Sequence, residues 1–356
     1  MSEAPLVSLL VPICNVERYL RECLDSARDQ TLRDIEVICI NDGSTDSSLD
    51  IINDYVAEDS RFKVINKPNS GYGDSMNMGL VQCRGEYVGI LESDDYLELD
   101  GLETMYKAAK KFDAQVVKTD FFLFWSKPAP HNIRFHWVDA VNEGHINPQV
   151  ERDVFYRKPS IWSAIYKRSF LEDNDITFLP TPGASYQDAG FNFKVWASCT
   201  NAVLINRAFL HYRQDNEKSS VNSPGKVFCV CDEYAEMHRY LDSHWHDRSY
   251  LRGILARMRF DTYEWNFDRL TEDLRKTFLP RMREDVIADE DKGYLDLRLF
   301  DPIKAESRRL LLKSFKLYSI KRSSDGATTR KERLKRLMSC GDPIAVIRLI
   351  LFRLSR

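Results

Sequence analysis

Four short apolar runs, Val7–Val11, Ile35–Ile40, Phe62–Ile65 and Tyr87–Leu91, recur along the first hundred residues. After the first come Val16, Tyr19, Leu20, Cys23, Leu24 and Ala27 at helical spacing, and after the second Leu49, Ile51, Ile52 and Tyr55. After the third comes a segment expected to be helical from Ser75 to about Gln82. Unbroken aliphatic runs suit strands covered on both faces, and Pro12 is expected to stop the first of them. Strands alternating with helices at this cadence predict an α/β fold with a doubly wound, mostly parallel sheet. In such a sheet the loops after the strands collect at one edge, where ligands bind.

Those loops are rich in oxygen. Pro12 and Asn15 follow the first run, Asp42, Ser44 and Asp46 the second, and the loop with Gly71 and Gly73 the third. Glu92, Ser93, Asp94 and Asp95 follow the fourth. Carboxylates crowded at a strand end repel one another unless a hard cation lies between them. Taken alone, the last cluster reads equally as a metal site or as the cap of a helix starting near Leu99 or Gly101. Carboxylates also suit the N–H of a nucleobase and the hydroxyls of a ribose. No GxGxxG turn follows the first strand, which disfavours a dehydrogenase.

A chain of 356 residues with 43% apolar and 12% aromatic residues carries a substantial core. Its net charge of −3 gives no argument for nucleic acid, but it hides an asymmetry. From Arg330 to Arg356 eight basic residues face Glu332 and Asp342, a surplus of six, so the remainder carries −9. Of the eight cysteines, Cys14, Cys23, Cys39 and Cys83 lie in or beside apolar segments and are expected to be reduced. Cys229 and Cys231 alone make a poor metal site. Residues Met1–Pro5 lack a signal-peptide pattern, and no apolar run reaches the ~20 residues of a membrane-spanning helix, so a cytoplasmic protein is expected.

Val11-Pro12-Ile13-Cys14-Asn15, Asn41-Asp42-Gly43-Ser44-Thr45-Asp46 and Glu92-Ser93-Asp94-Asp95 resemble the signatures of family 2 glycosyltransferases with the GT-A fold. Ser160-Ile161-Trp162-Ser163-Ala164-Ile165-Tyr166-Lys167-Arg168-Ser169-Phe170-Leu171 resembles the family's W-x-x-[LI]-Y-[KR]-R-x-[FL]-[IL] block. Tyr186-Gln187-Asp188 falls where the family usually carries Glu-Asp before a Phe-bearing helix. The matches run in order from about Pro5 to Asn222.

The resemblance implies an inverting, metal-dependent transfer of a hexose or N-acetylhexosamine from a UDP-sugar to a hydroxyl of a growing surface glycan. Asp42 would read the uracil imide, and Asp94 would hold Mg²⁺ or Mn²⁺ on the diphosphate with Asp95 nearby. Pro12, Asn15, Ser44, Gly71, Glu92, Ser93 and Arg213 would complete the nucleotide-sugar site, and Asp188 would be the general base. Glu92 departs from the family's usual Asp, and Gln187 replaces its usual Glu. Without the resemblance, Asp188 reads more readily as a helix cap.

Phe121–Trp125 and the segment 127–150, with Trp137, His131, His136 and His145, read equally as an acceptor wall or as local core. The histidines have no metal spacing. His211-Tyr212-Arg213 reads as a strand end running into a mobile loop, with Arg213 either near the donor diphosphate or solvated. Residues 1–225 are therefore expected to form the catalytic domain and 226–329 a helical addition. Residues 330–356 would form a basic, apolar tail suited to the anionic inner face of a membrane, where a glycan on a polyprenyl diphosphate would be the acceptor. The plain alternative docks that tail on its own body or on a second subunit, and the oligomeric state is left open. Two other classes compete: a nucleotide-sugar-binding scaffold without chemistry, and a nucleotidyltransferase, whose usual Arg/Lys-bearing first loop is absent.

Overall fold

The computed structural model describes residues 4–138, 143–183, 185–216 and 227–325. The chain forms two compact units, Met1–Ser223 and Pro224–Arg356. The expected basic tail, 330–356, lies outside the described residues.

The first unit is built on one mixed sheet. Strands β1 (Val7–Ile13), β2 (Ile35–Asp42), β3 (Phe62–Lys67) and β4 (Tyr87–Ile90) are parallel, in the order β3-β2-β1-β4. Helices α1 (Glu17–Arg28), α2 (Ser48–Glu58) and α3 (Tyr72–Gln82) connect them. β1 and β2 are buried at every position, as their uninterrupted apolar composition requires.

Two expected boundaries move for identifiable reasons. β1 continues through Pro12 to Ile13. Pairing with β4 ends at Leu10↔Ile90, and the Leu10 carbonyl accepts the Leu91 N–H at 2.9 Å. Pro12 points the same way two residues later, past the end of β4, so its missing N–H costs no ladder bond. Helix α3 begins at Tyr72 rather than Ser75, because Gly71 at φ 98° makes the turn that precedes it.

Beyond β4 lie the two-residue β5 (Tyr96–Leu97) and α4 (Gly101–Phe112), then β6 (Val116–Trp125), β7 (His131–Phe135) and β8 (Gly144–Ile146). These are followed by β9 (Ala164–Lys167), α5 (Arg168–Asp173), α6 (Gln187–Ser198) and β10 (Ala202–Arg213). β9 is antiparallel to both β4 and β6 and joins the two halves of the sheet, while β6 and β10 run parallel. The short antiparallel strands β7 and β8 pair with β6 and β10. Phe121, Phe124 and Trp137 are core residues, which is the local-core alternative for these three rings.

The second unit is helical: α7 (Cys229–His244), α8 (Ser249–Arg269), α9 (Glu272–Asp291), α10 (Pro302–Lys313) and α11 (Phe315–Asp325). Tyr234, Tyr263, Phe278, Leu310 and Tyr318 fill its core. Asp301 caps α10 by accepting the N–H groups of Ile303 and Lys304, both at 2.9 Å, with Pro302 at the first helical position. No described helix is long and apolar enough to cross a membrane.

Candidate active site

The parallel strands end side by side, and their loops are clasped together. Asn15, at φ 53°, accepts the Thr45 N–H at 2.8 Å on Oδ1 and donates its own N–H to Ser44 Oγ at 3.1 Å. Asp46 accepts from the Glu17 N–H (3.1 Å) and the Ser48 N–H (3.0 Å), so it serves the starts of both α1 and α2. Asn15 and Ser44 thus fix the rim that Pro12 leads into.

Asp42 ends β2 and is buried. Burial pushes its carboxyl up, but the Lys67 ammonium at 2.5 Å and the N–H groups of Ser70 (2.8 Å) and Gly71 (3.0 Å) hold it below the usual carboxylate range. Two of these three bonds fall on Oδ1, which leaves acceptor capacity on Oδ2.

One short segment joins Asp42 to the acids after β4. Gly71 donates to Asp42, and the next residue, Tyr72, donates its hydroxyl to Glu92 Oε1 at 2.7 Å. The Tyr72 N–H meets the Gly183 carbonyl at 3.0 Å, so the segment also touches the loop that leads to Asp188. That contact is glycine-dependent. A Cβ at Gly71 would lie 2.7 Å from Gly183 N, and one at Gly73 would overlap the Leu179 carbonyl oxygen. Gly73→Ala is therefore expected to cost about 1–3 kcal/mol by overpacking, read as a lowered urea midpoint at unchanged m-value.

Glu92, Ser93 and Asp94 are half-buried and Asp95 is fully buried. Burial pushes the Glu92 carboxyl up to about 8, with Tyr72 opposing and Asp94 and Asp188 reinforcing. Asp94 accepts from Asn216 Nδ2 at 2.8 Å on Oδ2. Asp95 is raised well above its ordinary range by burial and then by Asp94; its Oδ1 accepts the Arg213 N–H at 2.8 Å, while Oδ2 is buried with no partner.

Arg213 is not solvated. It is the last residue of β10, 5% exposed, with its guanidinium between the rings of Tyr19 (4.5 Å) and Phe124 (4.8 Å). It donates to the Asp94 carbonyl at 2.8 Å and to Glu22 at 2.5 Å, so it braces the acid turn from behind.

The donor set at Asp94 and Asp95 is made of hard oxygens and includes one orphaned buried carboxylate atom, which fits Mg²⁺ or Mn²⁺. Among the described residues no three metal-ligating side chains converge. A cation here would take its remaining oxygens from a bound phosphate and water, the habit of Mg²⁺.

Asp188 is the second residue of α6, after Tyr186 at φ 62°. Burial raises it to about 6, opposed by the Ala189 N–H (2.8 Å) and the Lys158 ammonium. Tyr186 holds the cap position, so Asp188 does not fill the capping place open to it in the sequence. Gln187 secures the preceding turn: its amide accepts the Ser185 N–H and donates to Thr181 Oγ1 (2.9 Å) and the Gly183 carbonyl (3.2 Å).

The Tyr212 phenol is raised by burial and, after that, by Asp95, Asp94, Asp188 and Glu92 in turn. Lys158 lies over that ring, 5.0 Å from its centroid, and feels both Asp188 and Asp95. Lys67, Tyr72, Lys158, Tyr212 and Asn216 were not predicted site residues. The motif in which Tyr212 sits was visible, but no spacing marks Lys158.

Residues 8–193 match the family described as Glycosyl transferase family 2. EpsH of Bacillus subtilis (strain 168), a glycosyltransferase by description alone, is 34% identical over 216 residues, 59% of this chain and 61% of that one. Glycosyltransferase GlyA of Streptococcus pneumoniae serotype 4 is 28% identical over 214 residues, 58% of this chain and 30% of that one. The chain thus spans less than two thirds of the length of these relatives. The crystal structure of S. aureus TarS 1-349 in complex with UDP-GlcNAc superimposes with a TM-score of 0.72 at 19% identity, over 91% of this chain and 93% of that one, a likeness of fold.

Proposed function

This chain belongs to glycosyl transferase family 2, and from that premise we propose that it moves a hexose or N-acetylhexosamine, with inversion, from a UDP-sugar to a hydroxyl of a growing surface glycan. The observation that carries this reading is one short segment, Gly71-Tyr72, that bonds Asp42, Glu92 of the acid turn and the Gly183 carbonyl of the loop leading to Asp188. UDP-GlcNAc in the TarS structure supports a UDP-linked donor.

The roles divide by ionisation. Asp42, held ionised, accepts the uracil imide N–H. Asp94, with Asp95 beside it, would hold Mg²⁺ or Mn²⁺, whose charge would stabilise the negative charge on the leaving diphosphate. Arg213 fixes the backbone of that turn. Asp188 takes the proton of the acceptor hydroxyl as its oxygen bonds to C1 of the sugar; the C1–O bond on the opposite face breaks and its electron pair leaves with UDP. A carboxylate raised to about 6 is still mainly ionised at neutral pH and is a stronger base than an ordinary aspartate. The acceptor is proposed to be a glycan on a polyprenyl diphosphate at the inner face of a membrane, a reading supported by the basic, apolar residues 330–356.

Incubation with a panel of UDP-sugars and Mn²⁺ tests the proposal. Slow release of UDP from at least one, lost on chelation with EDTA, is expected. Diphosphate released from UTP would instead identify a nucleotidyltransferase, and inertness toward every UDP-sugar would leave the scaffold reading standing.

A further inference from the structure

Strands β6 and β7 form an antiparallel pair in which Leu123 faces Ile133 and Trp125 faces His131; across the parallel β6/β10 pairing, Tyr212 lies beside Leu123. Side chains alternate along a strand, so these five residues share one face of the sheet. That face is closed at its inner end by Phe121, fully buried under Trp162 at 4.5 Å, and opens outward from there. Ile133 is 55% exposed, His131 is exposed, and Leu123, Trp125 and Tyr212 are half-buried. The Trp125 indole and the His131 imidazole stack at 5.0 Å and 4° between planes, forming a flat outer platform.

A single exposed isoleucine calls for no explanation. A continuous shelf of one isoleucine, one leucine and three rings is different, because it begins at Tyr212, the residue before Arg213, whose N–H holds Asp95 at 2.8 Å. Three adjacent strands give it a width of about 10 Å. Its rim is polar: His131 at the outer end, and Lys158 over Tyr212 at the inner end.

We propose that this shelf is the acceptor subsite and that it takes the end of a neutral oligosaccharide. Sugar rings offer apolar faces for the indole and the aliphatic side chains, and equatorial hydroxyls for the rim. An alkyl chain would leave the imidazole and the ammonium unused. A terminal ring on Tyr212 would sit at the acid-turn end of the shelf, whereas a ring on Trp125 belongs to the preceding residue of the glycan. The assignment rests on the transfer reading above and adds to it which face of the sheet the acceptor occupies.

Saturation-transfer NMR on the full chain tests it with cellotriose, maltotriose and chitotriose, with dodecyl maltoside below its micellar concentration as the alkyl arm. At least one trisaccharide is expected to bind, and Trp125→Ala and Ile133→Ser are each expected to weaken it at least tenfold while the affinity for UDP is kept. Retained UDP affinity reports an intact fold, and Ile133→Ser covers the case in which Trp125→Ala does not fold. Trisaccharide binding unchanged in both variants, no trisaccharide binding at all, or saturation confined to the dodecyl chain would each overturn the proposal. A wild type that binds trisaccharides on this shelf but releases no UDP from any UDP-sugar would sink the transfer reading and leave the shelf a carbohydrate site.

Discussion

Asp188→Asn is expected to lower transfer by about 10²–10⁴-fold, the usual worth of a positioned general base, while UDP binds as in the wild type. The asparagine keeps the size of the side chain and loses the ability to take a proton. The pH profile supplies an independent reading. In the wild type, kcat/KM should fall as pH drops through about 6, because protonation of Asp188 removes the base. That limb should be missing from the residual activity of Asp188→Asn. Lys158 lowers the Asp188 carboxyl, so Lys158→Met should move the wild-type limb to higher pH. Full turnover in Asp188→Asn, or a limb that stays put in Lys158→Met, would show that the proton goes elsewhere.

Asp94→Ala is expected to act at the other end of the reaction. Its carboxylate lies at the rim, steadied by Asn216 and backed by Arg213, with the buried orphan oxygen of Asp95 next to it. Losing it removes an anchor for the cation that would offset charge on the diphosphate, an effect of several kcal/mol. At about 1.4 kcal/mol per decade this amounts to a loss of roughly a thousandfold. UDP affinity measured by calorimetry with and without Mn²⁺ checks the cause. The Mn²⁺-dependent gain in affinity should vanish in Asp94→Ala, whereas the metal-free affinity, which depends on Asp42, should change little. An unaltered Mn²⁺ gain would place the cation elsewhere.

The parallel strands were legible because burial on both faces forces unbroken aliphatic runs, and Val7–Ile13 and Ile35–Asp42 have them. Their acids were legible because a polar loop after such a run has one place to go. What could not be read is whatever depends on packing between distant segments. Tyr72 reaches Glu92 across 20 residues, Lys158 stands over Tyr212 from an irregular stretch, and Arg213 braces Asp94 from 119 residues away. Arg213 illustrates the difficulty. In the sequence it adjoins a polar run and reads either as a neighbour of the donor diphosphate or as a solvated cation, whereas two rings and the turn at Asp94 bury it. The aromatic segment divided along its strand: Phe121 and Phe124, on opposite faces, are both buried, whereas Trp125, on the face of Phe121, lies at an accessible end.

The side chain at position 187 bears on how departures from a family pattern are to be interpreted. Judged by the motif alone, Gln187 is a missing negative charge, and restoring glutamate would look like a repair. In the folded chain, however, the amide nitrogen serves the Gly183 carbonyl, an oxygen that an ionised carboxylate would repel. The family's usual residue would thus be the disruptive one in this chain. Such a position is locked by its neighbours, and engineering toward the consensus at 187 would have to begin by redesigning the turn at 181–185.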